Sequence, residues 1–479
     1  MGIGKVTEQL DWNGKKVTVA GLGVSGIPAA RVLHARGALV TVVNDGDDER
    51  SRAQAAELEA EGITVRLGDG ATLPTGTELI VTTPGWRPDK PLFAAAAEAG
   101  VEVWGDVELA WRLRGPGSAP WLAVTGTNGK TTTVRMLASI LEAAGLRTAA
   151  VGNIGVSLLD AVLGEEEYDV LAVELSSYQL HWAPSVRAHS AAVLNLAPDH
   201  LDWHGSMEAY AADKGRIYEG NQVACVYNVA DKATEDLVRE ADVEEGCRAI
   251  GFTLGTPGPS QLGVVEGILV DRAFVENRQK NAQELAEVAD VQPPAPHNIA
   301  NALAAAALAR AFGVEAKAVR DGLKAFRPDP HRIELVEEVQ GVTYVDDSKA
   351  TNTHAAEASL AAYDPIVWIA GGLAKGATFD ELVQRSAKHL RGAVLIGADR
   401  ALIREALARH APEVPVVDLD RTDTGAMSEA VREATRLAHP GDTVLLAPAC
   451  ASMDMFTNYN KRGEAFADAV RALAATGDA

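Results

Sequence analysis

The feature that most constrains this chain is the stretch WLAVTGTNGKTTTVRMLASILEAAG, Trp121 to Gly145. An apolar run enters the turn Gly126-Thr127-Asn128-Gly129-Lys130-Thr131-Thr132, after which apolar residues recur at helical spacing. Strand, glycine turn and helix in that order are one arm of a parallel sheet, whose strands need long crossovers rather than hairpins. Small residues let successive backbone amides face one anion, and the following helix adds its own unpaired N–H groups. Lys130 brings positive charge toward outer phosphates, and the Thr131 hydroxyl suits a magnesium shell. The usual eight-residue loop has glycine where this chain has Val124, so the strand–turn–helix context carries the nucleotide reading.

At 479 residues the chain is too long for one hydrophobic core, and three domains are expected. The first, over residues 1–115, opens with KKVTVAGLGVSGIPAARVLHARGALVTVVND and continues through GITVRLGDG and TELIVTTPGW, alternating strand with helix. RLRGPGSAP, residues 112–120, reads as a linker. The second domain, 116–327, adds the strands DVLAVELSS and HSAAVLNLAP, less regular strands from Cys225 to Val291, and the helix NIANALAAAALARAFG stopped by Gly313. Prolines in KAFRPDPHR make a stiff, non-helical junction. The third domain, 328–479, repeats the alternation in GVTYVDDSKATN, PIVWIAGGLAKG, GAVLIGADR, VPVVDLD and DTVLLAPACAS. The expected class is α/β, with doubly wound sheets in the first and last domains.

A formal net charge of −22 argues against a general affinity for nucleic acid or anionic membranes, while leaving a local anion site open. Cys225, Cys247 and Cys450 are too few and scattered for a disulfide framework or a cysteine zinc site, and read as reduced thiols of a cytoplasmic protein. No basic-then-apolar leader opens the chain, Val6 breaks a myristoylation pattern, and no apolar run reaches the ~20 residues that span a bilayer.

Partners for the central turn stand at predicted strand ends. LAVELSSYQL leaves Glu174 at one, and VLNLAPDHLDWHG leaves Asp199, His200, Asp202 and His204 near another. Carboxyl ends of parallel strands share an edge, so Glu174 and His200 are expected near the phosphates with magnesium, while a zinc cluster stays open although cysteines and a clear metalloprotease spacing are missing. Locally, the same residues also suit a helix cap (Glu174) and a loop hydrogen bond (His200). Lys214, in AYAADKGRIY, reads locally as an ordinary surface lysine. The N-terminal turn Gly21-Leu22-Gly23-Val24-Ser25-Gly26 follows a strand and opens a helix, a diphosphate-binding context. It also suits glycines used for helix–strand packing alone, and Asp45 keeps an adenine dinucleotide open.

Beyond these local readings, GTNGKTT, VGNIG, ELSSYQL, DHLDWHG, HNIANALAA, PHR, DDSKATNTHAA and ACASMDMF, in this order, resemble the ATP-dependent Mur ligases of peptidoglycan synthesis along essentially the whole chain. The resemblance implies an N-terminal Rossmann-like UDP-binding domain, a central P-loop ATPase-like domain and a C-terminal Rossmann-like domain admitting the amino acid. It is closest to the D-glutamate-adding members. It therefore implies ATP-dependent ligation of D-glutamate to UDP-N-acetylmuramoyl-L-alanine through an acyl phosphate, by a monomer that binds neither nucleic acid nor membrane. By the same resemblance Lys130, Glu174, His200 and Lys214 are catalytic, and Thr131, Glu174, His200 and a carbamylated Lys214 hold two magnesium ions. Gly126 to Thr132 with Asn298, Asn301, Arg332 and Asp347 correspond to the ATP site. Gly21, Leu22, Gly23, Val24, Ser25, Asn44, Asn153 and His200 correspond to UDP-substrate contacts. Lys349, Thr351, Lys375, Ser452 and Tyr459 correspond to the D-glutamate pocket, where lysines suit two carboxylates. The family's Asp-Thr-Arg after the second strand is replaced by Asn44-Asp45-Gly46, which leaves Arg87 as a candidate diphosphate cation.

Overall fold

Aliphatic runs of four to six residues, buried on both faces, set the architecture of the computed structural model, which describes residues 10–328 and 330–477. The opening hexapeptide, on which the myristoylation reading rests, lies outside the described residues. The first sheet contains β1 (Lys16–Ala20), β2 (Leu39–Asn44), β3 (Thr64–Leu67), β4 (Leu79–Thr82) and β5 (Glu102–Gly105), all parallel, in the order β3-β2-β1-β4-β5. The second contains β6 (Trp121–Thr125), β7 (Ala150–Gly152), β8 (Leu171–Glu174), β9 (Ser190–Val193), β10 (Ala224–Asn228), β11 (Arg248–Phe252), β12 (Gln261–Val265), β13 (Ile268–Asp271) and β14 (Gln283–Glu287). Its order is β14-β13-β12-β11-β10-β9-β6-β8-β7, and β13 and β14 pair antiparallel at one edge. The third contains β15 (Glu334–Val339), β16 (Val342–Asp346), β17 (Ile366–Gly371), β18 (Leu390–Ile396), β19 (Val416–Asp418) and β20 (Thr443–Leu446), ordered β15-β16-β20-β17-β18-β19.

The chain divides into two compact units. One comprises Met1–Val291 with Ala300–Phe326 and carries the first two sheets; the other comprises Gln292–Ile299 with Arg327–Ala479 and carries the third.

Within the first unit, the two sheets are joined through a buried carboxylate. The helix Asp106–Leu113 presents Glu108, fully buried, to the backbone N–H and hydroxyl of Ser185, and pairs it with Arg112 at 2.6 Å. Beside it, the Gly105 N–H donates to the Trp182 carbonyl at 2.8 Å. Behind the central turn, the helix Ala316–Ala325 packs backbone to backbone on Lys130–Ala143. A Cβ at Gly322 would lie 2.4 Å from the Ile140 Cα, and Ser139 donates to the Gly322 carbonyl at 2.8 Å. The scattered cysteines are not all apart: Cys225 and Cys247 sulfurs approach to 3.9 Å as free thiols.

Removing the Glu108 carboxylate strands the Ser185 donors and the Arg112 charge. Glu108→Ala is expected to cost roughly 3 kcal/mol, the lower end for breaking a buried pair, read as a lower urea midpoint for the first unit's unfolding.

Candidate active site

The central turn owes its shape to two backbone conformations. Gly126 (φ 154°) and Gly129 (φ 83°) turn the chain from β6 into the helix Lys130–Ala143. A Cβ at Gly129 would also meet the Asn301 side-chain oxygen at 2.4 Å, so that buried amide lies against the turn. Val124, where the generic pattern has glycine, is fully buried inside β6 opposite Glu174 of β8. The strand simply runs further before the turn begins. Asn195, just beyond β9, accepts from the Asn128 N–H at 2.9 Å and donates to the Asn128 carbonyl at 3.1 Å. Buried Thr127 bonds Ala197 and the Tyr210 hydroxyl. Thr131 and Thr132 begin the helix.

Two lysines converge on one acceptor. Lys130 Nζ donates to the Gly126 and Thr127 carbonyls at 2.8 and 3.0 Å, and Lys214 Nζ donates to the same Gly126 carbonyl at 2.9 Å. Lys214 is thus no surface residue: it is 2 % exposed, because the helix Met207–Gly215 turns it inward beneath β6. Burial, then repulsion from Lys130, holds its amine well below the ordinary lysine pKa. Glu174 is equally buried. Asn153, after β7, donates to its Oε1 at 2.9 Å, while its Oε2 is buried without a hydrogen-bond partner. A bare carboxylate oxygen beside a phosphate-type turn fits a cation.

His200 adopts a left-handed conformation (φ 54°) at the start of a short helical turn. Its Nε2 lies 3.5 Å from Asp199, and burial lowers its pKa against the pull of that carboxylate. Sequence reasoning missed the clasp beneath it. Asp213 accepts from His181 Nδ1 and His204 Nδ1, both at 2.9 Å, and His204 Nε2 meets the Ser177 hydroxyl at 3.0 Å. Burial would raise the Asp213 carboxyl, but the two imidazoles outweigh it and take it down to about 2. The clasp ties the DHLDWHG segment to the helix bearing Lys214. His204 stood in a quoted motif, whereas Asp213 left no local signal.

At the first sheet, Gly21, Leu22, Gly23, Val24 and Ser25 follow β1, and Asn44 ends β2 beside them. Asn44 accepts from the Leu22 N–H at 3.3 Å and donates to the Gly46 carbonyl at 3.0 Å, so it ties the two loops. Arg87 pairs on the surface with Asp89, while Lys90 pairs with Asp45 and lies over the Trp86 ring at 4.8 Å.

In the second unit, Lys349 and Thr351 follow β16, Lys375 follows β17 and Ser452 follows β20, three neighbouring strands. Lys349 Nζ sits 4.1 Å from the Tyr459 ring centre, and a bridge between Leu373 and Ala451 brings the Lys375 and Ser452 loops together. Holding them is a residue sequence reasoning overlooked. Arg462, 1 % exposed, donates to the Ser348 hydroxyl and carbonyl at 3.0 and 2.9 Å and to the Cys450 carbonyl at 3.1 Å. Burial takes its guanidinium down to about 10. Asp347, also buried, accepts from Ser359 and the Ile333 N–H, and burial raises its carboxyl to about 6. Arg332 adjoins His331, whose Nδ1 donates to Asp346 at 2.6 Å. Asn298 is buried and donates to the Pro293 carbonyl at 3.3 Å. Glu174, His200, Asn44, Lys349, Thr351, Lys375 and Ser452 thus stand at or just after the carboxyl ends of strands, whereas Lys214, Asn298, Asn301 and Tyr459 stand on helices and Arg332 precedes β15.

Two outcomes follow. The Asp346 hydrogen bond raises the His331 pKa above its ordinary 6.5, so that pair's contribution to stability is complete below pH 6.5 and is lost as pH rises through the raised value. NMR titration should place the imidazole above 6.5, and Asp346→Asn should bring it down. Arg462→Met leaves the Ser348 and Cys450 carbonyls unmet, and is expected to cost roughly 3 kcal/mol in denaturant unfolding of the second unit.

Comparison with known proteins now bears on these clusters. The MurD-like N-terminal domain of Mur ligases matches residues 15–105, the Mur ligase middle domain 124–309, and the Mur ligase glutamate ligase domain 331–450. A UDP-N-acetylmuramoylalanine–D-glutamate ligase of Streptomyces avermitilis is 89% identical over 465 residues, covering 97% of this chain and 100% of that protein. The Thermobifida fusca protein of the same name is 60% identical over 97% of this chain and 100% of its own. Among solved structures, MurF from Acinetobacter baumannii matches with a TM-score of 0.58 at 17% identity over 90% of each chain. A pseudomurein peptide ligase type C from Methanothermus fervidus gives 0.57 at 18% identity, covering 96% of this chain and 100% of that one. These two show likeness of fold. With all three of its domain models matched in order and near-identical relatives of the same extent, the chain belongs to the Mur ligase family.

Proposed function

We propose that this protein joins D-glutamate to UDP-N-acetylmuramoyl-L-alanine with cleavage of ATP to ADP and phosphate, as a step in making peptidoglycan precursors. The observation that carries this reading is the end-to-end likeness to D-glutamate ligases, together with a phosphate-type turn whose neighbours are two lysines and a bare carboxylate oxygen. In this reading residues 1–115 recognise the UDP substrate, 116–327 bind ATP and 328–479 admit D-glutamate. The protein acts as a cytoplasmic monomer. Among the described residues no helix is long and apolar enough to cross a membrane.

A carboxylate is a poor electrophile, since its charge repels an amine and oxide cannot leave. In the proposed reaction the substrate carboxylate oxygen forms a bond to the γ-phosphorus of ATP as the bond to ADP breaks. The D-glutamate nitrogen, having lost a proton, then adds to the acyl carbon. The tetrahedral adduct gives up a second nitrogen proton, which leaves with the phosphate, and collapses to the amide. Lys130 and the amides of Gly126 to Thr132 offset charge on the phosphoryl group in flight. Asn301 lies against the turn, and Asn298, Arg332 and Asp347 serve adenine and ribose. Gly21 to Ser25, Asn44 and Asn153 face the UDP-substrate. Lys349 and Lys375 meet the two carboxylates of D-glutamate, while Thr351, Ser452 and Tyr459 orient it.

Thr131, Glu174, His200 and Lys214 would hold two magnesium ions, which supply charge neutralisation between carboxylate and phosphate when bound. Lys214 joins that set after its nitrogen attacks carbon dioxide, giving a carbamate and releasing a proton. Its burial and depressed pKa favour the neutral amine that this reaction requires.

Incubated with ATP, magnesium and UDP-N-acetylmuramoyl-L-alanine, the protein should release ADP with D-glutamate and not with lysine or meso-diaminopimelate. Equal turnover with a diamino acid overturns the assignment. Lys130→Ala should lower kcat at saturating ATP by at least about 100-fold, the scale for one charge-stabilising donor. Intact-mass analysis under bicarbonate should find one added carbon dioxide that Lys214→Ala loses.

A further inference from the structure

A cavity lies at the opposite edge of the central sheet from the phosphate-type turn. About 540 Å³ in volume, it opens where β6 and β8 begin, lined by Arg114, Ser118 and Trp121 on one side and by Arg147, Glu166 and Tyr168 on the other. Its size is that of a small-molecule pocket. The phosphate-type turn leaves the other end of β6, so the cavity takes no part in the chemistry proposed above.

Its charges are unequally satisfied. Arg147 bonds Asp169 at 2.8 Å and Glu167 at 3.2 Å, and the Tyr168 hydroxyl donates to Glu166 at 2.7 Å. Arg114 has no such partner. Its guanidinium lies over the Trp111 ring, with the Trp121 ring centre 5.4 Å away, and its Nε donates to the Trp111 carbonyl at 3.2 Å. The two indoles stand edge to face beside the cation, 77° apart, and among the described residues no carboxylate meets its Nη groups. Burial unrelieved by any anion takes it down to about 10. A second donor is also unspent: Trp121 is 1 % exposed and its indole N–H is buried without an acceptor. Arg114 is only partly buried, so water meets its Nη groups, and a carboxylate entering the cavity would replace that water with a charge-assisted pair. At the far wall Glu166 and Glu167 are exposed carboxylates, with Arg147 shared between Glu167 and Asp169.

We infer that this cavity binds a small zwitterion of amino-acid or dipeptide type, its carboxylate on the Arg114 guanidinium and its ammonium toward Glu166 and Glu167. The occupant also touches Ala161 and Val162 of the helix Leu158–Leu163. That helix follows the loop whose Asn153 bonds Glu174, so a bound ligand presses on an element connected to the proposed ATP site.

Three probes of similar size separate the charges: diglycine carries both, N-acetylglycine only the carboxylate, and glycinamide only the ammonium. Calorimetric titration of the full chain should show diglycine binding tightest, N-acetylglycine at least tenfold weaker, and glycinamide without detectable heat. Arg114→Gln should abolish diglycine binding while ligase turnover persists, which reports folding. Glu166→Gln, at an exposed position, should weaken diglycine and leave N-acetylglycine unchanged. No binding by any probe, equal binding by all three, or diglycine affinity unaltered in Arg114→Gln overturns the proposal.

Discussion

One backbone oxygen organises the turn after β6. The Gly126 carbonyl receives both Lys130 and Lys214, and two ammonium groups sharing a neutral acceptor repel one another unless one is uncharged or an anion arrives. Burial decides which gives way. Lys214, closed off from water, is driven toward the neutral amine, whereas Lys130 stands at the mouth of the turn and half-exposed. The same crowding that makes Lys214 unfavourable as a cation favours the neutral amine that the proposed carbamylation requires.

Convergence on that point comes from sheet order. β6 lies between β8 and β9, so the turn after β6 is flanked by Glu174 from one neighbour and the Asn195-to-His200 segment from the other. β1 between β2 and β4, and β20 between β16 and β17, repeat the arrangement. Each time, crossover helices return the chain to the same edge, and residues distant in sequence become neighbours without any loop having to be long.

This explains which parts were legible in the sequence. Strand ends are local features: an apolar run stops, and the next polar side chain is placed. Glu174, His200, Asn44 and the Lys349 and Ser452 loops were therefore locatable before any coordinates. The partners that brace them were not. Lys214 reads as a solvent-facing lysine because nothing nearby tells which side of its helix faces inward. Asp213 clasps two imidazoles 32 and 9 residues away, and Arg462 reaches back 114 residues to Ser348. Cys225 and Cys247 look unrelated until adjacent strands align them. Such pairings are products of packing, which periodicity does not encode. Arg87, a basic residue in a promising loop, pairs with its neighbour Asp89 on the surface, a contact no local pattern announced.

The N-terminal glycine turn carries a lesson about heredity. A methyl group at Gly26 would sit 2.0 Å from the Gly21 carbonyl oxygen, while one at Gly23 would meet nothing within 4 Å. Mutational drift should therefore be tolerated at Gly23 as far as the protein's own atoms are concerned, and Gly26 should be frozen whatever the turn binds. Two letters of one motif are thus held to different degrees by the protein's own atoms, Gly26 by its backbone and Gly23 by none of them.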